Sequence, residues 1–292
     1  MTVAENLLAR VMRQLVDPAY GIANRLIELG ASPYAPDVFV ACADGGPAAY
    51  LTDNKPAAWH NCSSASGAAY QREQACWATL GELAERYCAS ICDRNALLRC
   101  SGRELNGRAV PVFEMILFAR AQYDVSGFPF KRFDVADTHD WVEGFDMMSE
   151  RRVFAPAQLL FLSQEWKDEQ LMQTVSTGLA CHRDPEAARL SALLELIERD
   201  GFAAAWLLGM PLPHLELTVS DKLQLSPQTL SVLQQGALDV RLYAISNAFG
   251  VANIVAAAEH KECGFGVVGA AANICPFKAI DKAVLELSLI HI

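Results

Sequence analysis

The chain has too few basic residues for a nucleic-acid-binding surface. Lysine and arginine number 24 against 34 aspartates and glutamates, which gives a formal net charge of −10. Binding to a duplex requires a basic face that contacts the phosphates, so the composition argues against a nucleic-acid partner. A small anionic ligand is still compatible, because a local site can be positive or metal-bridged on an acidic protein.

Long apolar runs are also missing. No stretch approaches the ~18 apolar residues of a membrane helix. The N-terminal segment carries Glu5 and lacks the apolar run and the small-residue cleavage site of a signal peptide. With 52% hydrophobic residues, the chain is typical of a packed globular protein. We therefore expect a cytoplasmic protein that does not associate with membranes.

The nine cysteines are scattered and include no C-x-x-C pair. Cys88 and Cys92 lie one helical turn apart, but no further Cys or His nearby completes a metal site. The G-x-x-x-x-G-K-[ST] motif is absent as well, which excludes a P-loop enzyme.

Apolar periodicity and turn residues predict a mixture of helices and strands. Helices are expected at 5–17, 70–92, 185–208 and 276–290, and strands within 36–52, 111–119, 153–162, 238–246 and 250–258. Loops of small residues are expected at 61–69, 174–186 and 264–276. Asp184 and Pro185 suit the N-cap and first position of the third helix, and Pro211 and Pro213 are expected to stop it. Without strict β-α alternation, the pattern predicts an α+β fold with helices layered on sheets.

Two of the predicted helices carry the pattern E-x-x-E-R. Glu82 and Glu85 lie on one helix, and Glu195 and Glu198 on the other. Residues three apart share a helix face, with about 5–6 Å between their Cβ atoms, so each helix presents two carboxylates side by side. A single copy is usually a solvated face with salt bridges. Two copies, each preceded by a loop of small polar residues, favour a functional site.

The positions that neighbour these glutamates are occupied by small residues. The last helix shares this feature around Glu286, with Lys282 one turn earlier. An ordinary solvated face would carry Lys, Gln and Glu there, so we interpret the small residues as room for a ligand. They are Ala75, Ala78, Ala89, Ala188, Ser191, Ala192, Ala279 and Ala283.

Paired carboxylates repel each other, and one takes up a proton unless a cation intervenes. Magnesium suits this arrangement, since it takes one or two carboxylates and completes its shell with water and substrate phosphates. Arg86, Arg199 and Lys282 can neutralise phosphate or hold the carboxylates in place. The loops SSASG (63–67) and STGLA (176–180) suit phosphate binding ahead of a helix, or are ordinary connections.

Three segments in this order resemble the YcaO family. They are AYQREQACWATLGELAERYCAS, VSTGLACHRDPEAARLSALLELIERDGFAAAW and GAAANICPFKAIDKAVLEL. RRVFAPAQLLFL and STGLA are similar to the azoline-forming members. The resemblance covers roughly 55–287, so we expect 1–54 to be the N-terminal segment of the YcaO region and 55–292 the YcaO domain. The last helix reaches Ile292 without a C-cap, which predicts a truncated C-terminus. The Pro-rich tail of many azoline-forming members can reach the active site and is absent here, so whether the truncated chain is active stays open.

The resemblance implies helix-on-sheet sandwich subdomains with a nucleotide site between helices. It implies ATP and Mg²⁺ as cofactors, and the catalytic residues stay unknown. Arg199 matches a nucleotide-contacting arginine, Lys282 stands where the family usually has arginine, and Ser66 and Thr177 fall in the two phosphate-side loops. The implied metal-binding residues are Glu82, Glu85, Glu195, Glu198 and Glu286.

The reaction implied by the resemblance is ATP-dependent activation of a peptide amide oxygen. A Cys, Ser or Thr side chain of a precursor peptide attacks the preceding carbonyl, the oxyanion is phosphorylated, and phosphate leaves to give an azoline. Because no leader-binding domain is fused here, a separate leader-peptide-binding partner protein is implied. A homodimer stays open.

Other readings of the same sequence also stay open. External sulfide would give a thioamide, and an internal amine would give an amidine. A degenerate YcaO domain would bind nucleotide or peptide without catalysis. A plain structural α+β protein is the remaining alternative.

Overall fold

The computed structural model describes residues 3–30, 38–46, 64–111, 117–162, 166, 168, 170–262 and 264–288. These divide into two compact units. The first comprises the described residues within 1–45, 64–85 and 177–292, and the second those within 46–63 and 86–176.

Strands and helices alternate irregularly along the chain. The strands are β1 (Ala23–Leu29), β2 (Phe39–Gly45), β3 (Ala65–Ala69), β4 (Leu98–Ser101), β5 (Thr138–Asp146), β6 (Arg151–Pro156), β7 (Leu238–Ile245), β8 (Ala252–His260) and β9 (Gly266–Asn273). The helices are α1 (Val3–Leu15), α2 (Arg72–Ala89), α3 (Arg120–Tyr123), α4 (Pro185–Leu208), α5 (Val219–Lys222), α6 (Pro227–Leu233) and α7 (Pro276–Glu286). None of the helices in the described ranges is long and apolar enough to cross a membrane.

The first unit contains two antiparallel sheets, ordered β1-β2-β3 and β7-β8-β9. Leu8 of α1 and Cys76 and Leu80 of α2 pack with Ala41 and Ala69 of the first sheet. The second sheet is covered by α4 and α7, and its core with α7 contains Ala256, Ala271, Ala279, Ile280 and Val284. The expected α+β fold with helices on sheets is confirmed.

Glycine and alanine bring the helices unusually close to these sheets. A Cβ at Gly67 of β3 would lie 2.6 Å from the backbone nitrogen of Thr79. A Cβ at Gly269 of β9 would lie 2.3 Å from the carbonyl oxygen of Ala283. Ala75, Ala279 and Ala283 are almost completely buried. Their small side chains therefore serve helix-on-sheet packing, which corrects the interpretation that they leave room for a ligand.

Two segments predicted as loops are strands. Residues 65–69 form β3, in which Ser66 pairs with Cys42 of β2, and residues 266–273 form β9, in which Ala272 pairs with Asn253 of β8. Both are rich in Gly and Ala, whose low β-propensity hides a strand from a sequence pattern. Close packing against a helix explains why these residues occur there.

The helix predictions are close to the observed ends. The α4 helix covers the predicted 185–208, and the carboxylate of its N-cap Asp184 accepts from the backbone N–H of Glu186 (3.2 Å). It ends at Gly209, which adopts a left-handed conformation with φ of 60°, rather than at the prolines that follow. The observed α7 ends at Glu286, and residues 289–292 lie outside the described part of the chain.

The second unit contains one antiparallel sheet of order β4-β5-β6. Its core is formed by Leu105, Trp141 and Phe154, and the indole N–H of Trp141 donates to the carbonyl of Cys100 (3.0 Å). The strand predicted within 153–162 is β6 followed by a short 3₁₀ turn. For the strand predicted at 111–119, residues 112–116 lie outside the described residues.

Candidate functional site

A cavity of about 580 Å³ lies within the first unit. Its volume is in the range of small-molecule sites, about 300–1,000 Å³. Ten residues were predicted for the site, counting Arg86 as a cation for phosphate, and Arg86 does not line the cavity. Eight of the ten do: Ser66, Glu82, Glu85, Glu195, Glu198, Arg199, Lys282 and Glu286. Thr177 is not among the lining residues, although Leu179 and Ala180 of the same loop are. The structure therefore brings the glutamates of α2, α4 and α7 to one cavity.

Glu82 is oriented by the neighbouring sheet. The backbone N–H of Ser66 in β3 donates to Oε2 of Glu82 (2.8 Å). Ser66 was predicted to bind phosphate from a loop, through its N–H or its hydroxyl group. The N–H contacts the Glu82 carboxylate instead, and only the hydroxyl remains a predicted phosphate ligand.

Glu195 receives a similar contact from the loop before α4. The backbone N–H of Gly178 donates to Oε2 of Glu195 (3.2 Å). Gly178 has a φ of 88°, and a Cβ there would lie 3.2 Å from Cδ2 of Leu196. Glycine is therefore required for this turn to reach the carboxylate. Nε of Arg199, one turn along the helix, lies 3.8 Å from Oε1 of Glu195.

Glu198 is the most buried of the five glutamates, with 5% of its surface exposed. Its Oε2 accepts from the backbone N–H of Ala272 in β9 (3.1 Å) and lies 3.9 Å from Nζ of Lys282. Its Oε1 lies 3.6 Å from Nε of Arg199. Burial raises the pKa of Glu198 above its ordinary value, and the nearby Lys282, the Ala272 N–H and Arg199 partly oppose this rise.

Glu286 of α7 has an environment of the same kind. Burial raises its pKa, the positive charge of Lys282 lowers it, and the negative charge of Glu198 raises it further. Arg199 also lowers the pKa of Glu286, and Glu82 also raises it. Carboxylates and cations from three helices thus influence one another electrostatically.

These residues fit magnesium and ATP. Within the described ranges, no three His, Cys, Asp or Glu side chains are grouped so that they could hold a metal ion by themselves. Magnesium does not require such a group, because it takes one or two carboxylates with water and phosphate oxygens. A divalent cation would favour the ionised form of Glu198 and Glu286 against their burial. The side chains of Arg199 and Lys282 are 61% and 52% exposed, so both can contact a phosphate.

The cavity also includes residues that the sequence did not single out as ligands. Ser191 lies one turn before Glu195, and the sequence analysis had named it as a small residue that leaves room for a ligand. Phe202 lies one turn after Glu198, so helical spacing from the glutamates would have identified it as well. Val268, Gly269 and Ala270 of β9 form another wall, which was missed because this segment was predicted as a loop.

Comparison with known families identifies the chain. A family model described as YcaO cyclodehydratase, ATP- and Mg²⁺-binding, matches residues 66–290. The chain therefore belongs to the YcaO family, which confirms the resemblance in its sequence and the cofactors ATP and Mg²⁺. A search of curated proteins gave no match.

Solved structures show the same fold. The chain is similar to a heterocyclase in complex with substrate and cofactor, with 21% identity, a TM-score of 0.82, and coverage of 99% of this chain and 40% of that one. It is similar to YcaO from Methanopyrus kandleri bound with AMPPCP and Mg²⁺, with 18% identity, a TM-score of 0.66, and coverage of 98% and 66%. It is also similar to the E. coli microcin synthetase McbBCD complex with pro-MccB17 bound, with 13% identity, a TM-score of 0.60, and coverage of 95% and 66%. The chain thus spans 40% of the length of the first of these structures.

Proposed function

We propose that this chain is the ATP- and Mg²⁺-dependent component that cyclodehydrates Cys, Ser or Thr of a ribosomal precursor peptide to azolines. The observation that carries the proposal is Glu198, a buried carboxylate within 4 Å of Arg199 and Lys282. Membership of the family supports it, as do a heterocyclase and a microcin synthetase of the same fold.

The residues of the cavity suit such a reaction by charge. Glu82, Glu85, Glu195, Glu198 and Glu286 would hold Mg²⁺, and Arg199 and Lys282 would contact phosphate oxygens. ATP, when bound, supplies the phosphoryl group that makes an amide oxygen a good leaving group. The work of this chain in such a phosphoryl transfer is positioning and charge neutralisation. Thr177 remains a predicted nucleotide contact that the cavity does not include.

The peptide change is a loss of water. The sulfur or oxygen of the nucleophilic side chain loses its proton and forms a bond to the preceding carbonyl carbon. The carbonyl oxygen would leave in inorganic phosphate, with ADP as the other product of ATP. The backbone nitrogen loses its proton as the C=N bond forms, so the peptide loses two hydrogens and one oxygen. The substrate is a precursor peptide, delivered by a separate leader-peptide-binding protein. We propose no nucleic-acid or membrane partner.

The full-length protein, its partner and a Cys-rich precursor peptide test this function. We expect the peptide to lose one water per ring, with phosphate released in step, by mass spectrometry and a phosphate assay. Glu198→Gln should lower the rate by a factor of about 100 or more, because it removes one anionic group from the metal site at nearly constant shape. Glu216→Gln, at an exposed position outside the cavity, is the matched control. Cyclisation by Glu198→Gln at the wild-type rate would contradict the proposal.

Other products would replace the proposal by a named alternative. Exchange of oxygen for sulfur when sulfide is present indicates thioamide formation, and ring closure by an internal amine indicates an amidine. An unchanged peptide with nucleotide bound but unhydrolysed indicates a domain that binds without catalysis.

A further inference from the structure

Asn253 of β8 contacts the main chain of α4 next to the proposed metal site. It is 2% exposed, and its Nδ2 donates to the carbonyl of Ile197 (3.0 Å) and lies 3.5 Å from the carbonyl of Glu198. Carbonyls inside a helix already accept from the N–H four residues later. The amide of Asn253 is therefore not needed to form the helix, and its effect is to fix this turn of α4 against the sheet.

Gly201 makes this approach possible. A Cβ at position 201 would lie 2.7 Å from Nδ2 of Asn253 and 3.0 Å from Cγ2 of Ile245. Glycine is among the least favourable residues in a helix interior, and here it lies in the middle of α4. Its presence is explained by the room that Asn253 needs.

The acceptor oxygen of the same amide does not explain why asparagine occurs at this position. Oδ1 of Asn253 is buried and has no hydrogen-bond partner among the residues that the structure describes. A buried acceptor without a partner is unfavourable, and an apolar side chain of similar size would avoid it. What distinguishes asparagine at this position is the donor that faces α4.

The two ends of Glu198 are held by directly opposed residues of one strand pair. Asn253 of β8 faces Ala272 of β9 in the antiparallel register. Asn253 contacts the main chain at Ile197 and Glu198, and the N–H of Ala272 donates to the Glu198 carboxylate. Main chain and carboxylate are thus both fixed relative to the same sheet.

We propose that Asn253 is a positioning residue, which fixes the position of the α4 carboxylates for Mg²⁺-dependent nucleotide binding. Gly201 leaves the space that the Asn253 side chain occupies. The proposal rests on the proposed function of this cavity. Asn253 contacts no ligand itself and acts through Glu198 and the adjoining turn.

Calorimetry with a non-hydrolysable ATP analogue and Mg²⁺, paired with thermal unfolding, tests this role. Asn253→Ala should weaken binding about 10–100-fold, as loss of a supporting contact behind a metal ligand does. Gly201→Ala should weaken it as well, because the new Cβ displaces the amide. The effects of the two substitutions on affinity should be less than additive in the double variant, since both remove the same contact between Asn253 and α4. Asn247→Ala is the control: it removes an amide that donates to the carbonyl of Val251 (2.7 Å), away from the cavity, and should leave affinity unchanged.

Two further measurements separate the possible failures. If Glu198→Gln weakens binding while folded Asn253→Ala and Gly201→Ala bind as the wild type does, Asn253 has a purely structural role and the inference is wrong. If Glu198→Gln has no effect either, the proposed function of the cavity fails. In that case, hydrogen exchange still tests whether Asn253 holds α4 against the sheet. Asn253→Ala should speed the exchange of the backbone amides at 197–202, and Asn247→Ala should not. If Asn253→Ala does not fold, Gly201→Ala, which keeps the amide, carries the test.

Discussion

At the scale of single residues, the cavity combines burial with opposite charge. Burial raises the pKa of both Glu198 and Glu286, and Lys282 lowers both. A bound divalent ion would offset the cost of ionising these buried groups. Lys282 lies on the same helix as Glu286, four residues earlier, so one turn of α7 supplies both the negative and the positive charge.

The first residue-scale prediction is that nucleotide binding requires magnesium. Without the metal, the carboxylates should repel a triphosphate, since like charges ~4 Å apart cost about 4 kcal/mol at an effective dielectric near 20. Calorimetry with the ATP analogue in Mg²⁺ and in EDTA measures this. Equal affinity in the two buffers would mean that the phosphates are bound elsewhere.

The second is a pH dependence of stability in the metal-free protein. With a folded-state pKa above the ordinary value of 4.5, Glu198 binds more protons in the folded than in the unfolded chain between the two values. Its contribution to the free energy of unfolding is therefore present below pH about 4.5 and is lost as the pH rises through the raised value. Glu198→Gln should consequently become more stable relative to the wild type as the pH increases. Denaturant unfolding at several pH values measures the free energy of unfolding of the variant minus that of the wild type. If this difference stays constant or decreases as the pH rises, burial does not disfavour the ionised carboxylate of Glu198.

At the scale of elements, the helices carry the glutamates and the small residues determine how closely they approach the sheets. The sequence predicted the helices well, because carboxylates three apart and the Asp184-Pro185 start are local signals. It missed β3 and β9, whose Gly and Ala are chosen by contacts with residues distant in sequence, such as Gly269 with Ala283. Helical spacing in the sequence predicted most of the residues of the cavity. It did not predict the backbone N–H groups that donate to the glutamates, because almost every residue type carries that donor.

The element-scale prediction concerns β9 and α7. Gly269→Ala places a Cβ 2.3 Å from the carbonyl oxygen of Ala283, so strand and helix must move apart. We expect a loss of about 1–3 kcal/mol, typical of overpacking. Gly81→Ala in α2, where a Cβ meets nothing within 4 Å, is the matched control and should stabilise the protein by about 0.5–1 kcal/mol. Chemical denaturation measures both, and a neutral Gly269→Ala would argue against the close approach.

At the scale of the whole molecule, the candidate site belongs to one of the two compact units. All the residues that line the cavity lie in the first unit. The chain also returns to this unit after residue 176, a long-range arrangement that local sequence patterns cannot predict. The division of the chain into an N-terminal segment (1–54) and a YcaO domain (55–292) is a separate matter and remains a proposal.

The molecule-scale prediction follows from the composition of the cavity. The described part of this chain supplies five glutamates, an arginine and a lysine to the cavity. We expect a leader-binding partner to act by delivering the peptide. We expect the partner to lower KM for a leader-bearing peptide and to leave kcat unchanged. A peptide without its leader should show no benefit. Steady-state kinetics with both peptides measures this, and a partner that raises kcat at saturating peptide would instead be completing the site.

The three hydrogen bonds that orient Glu82, Glu195 and Glu198 all come from main-chain N–H groups, at Ser66, Gly178 and Ala272. Every amino acid except proline carries that donor. Over evolutionary time, the side chains of Ser66 and Ala272 can change as far as the local packing tolerates, without loss of the contact, whereas position 178 requires glycine for its left-handed turn. The glutamates themselves have no such freedom. Descendants of this protein can thus diverge widely around the site and still keep the geometry of its carboxylates.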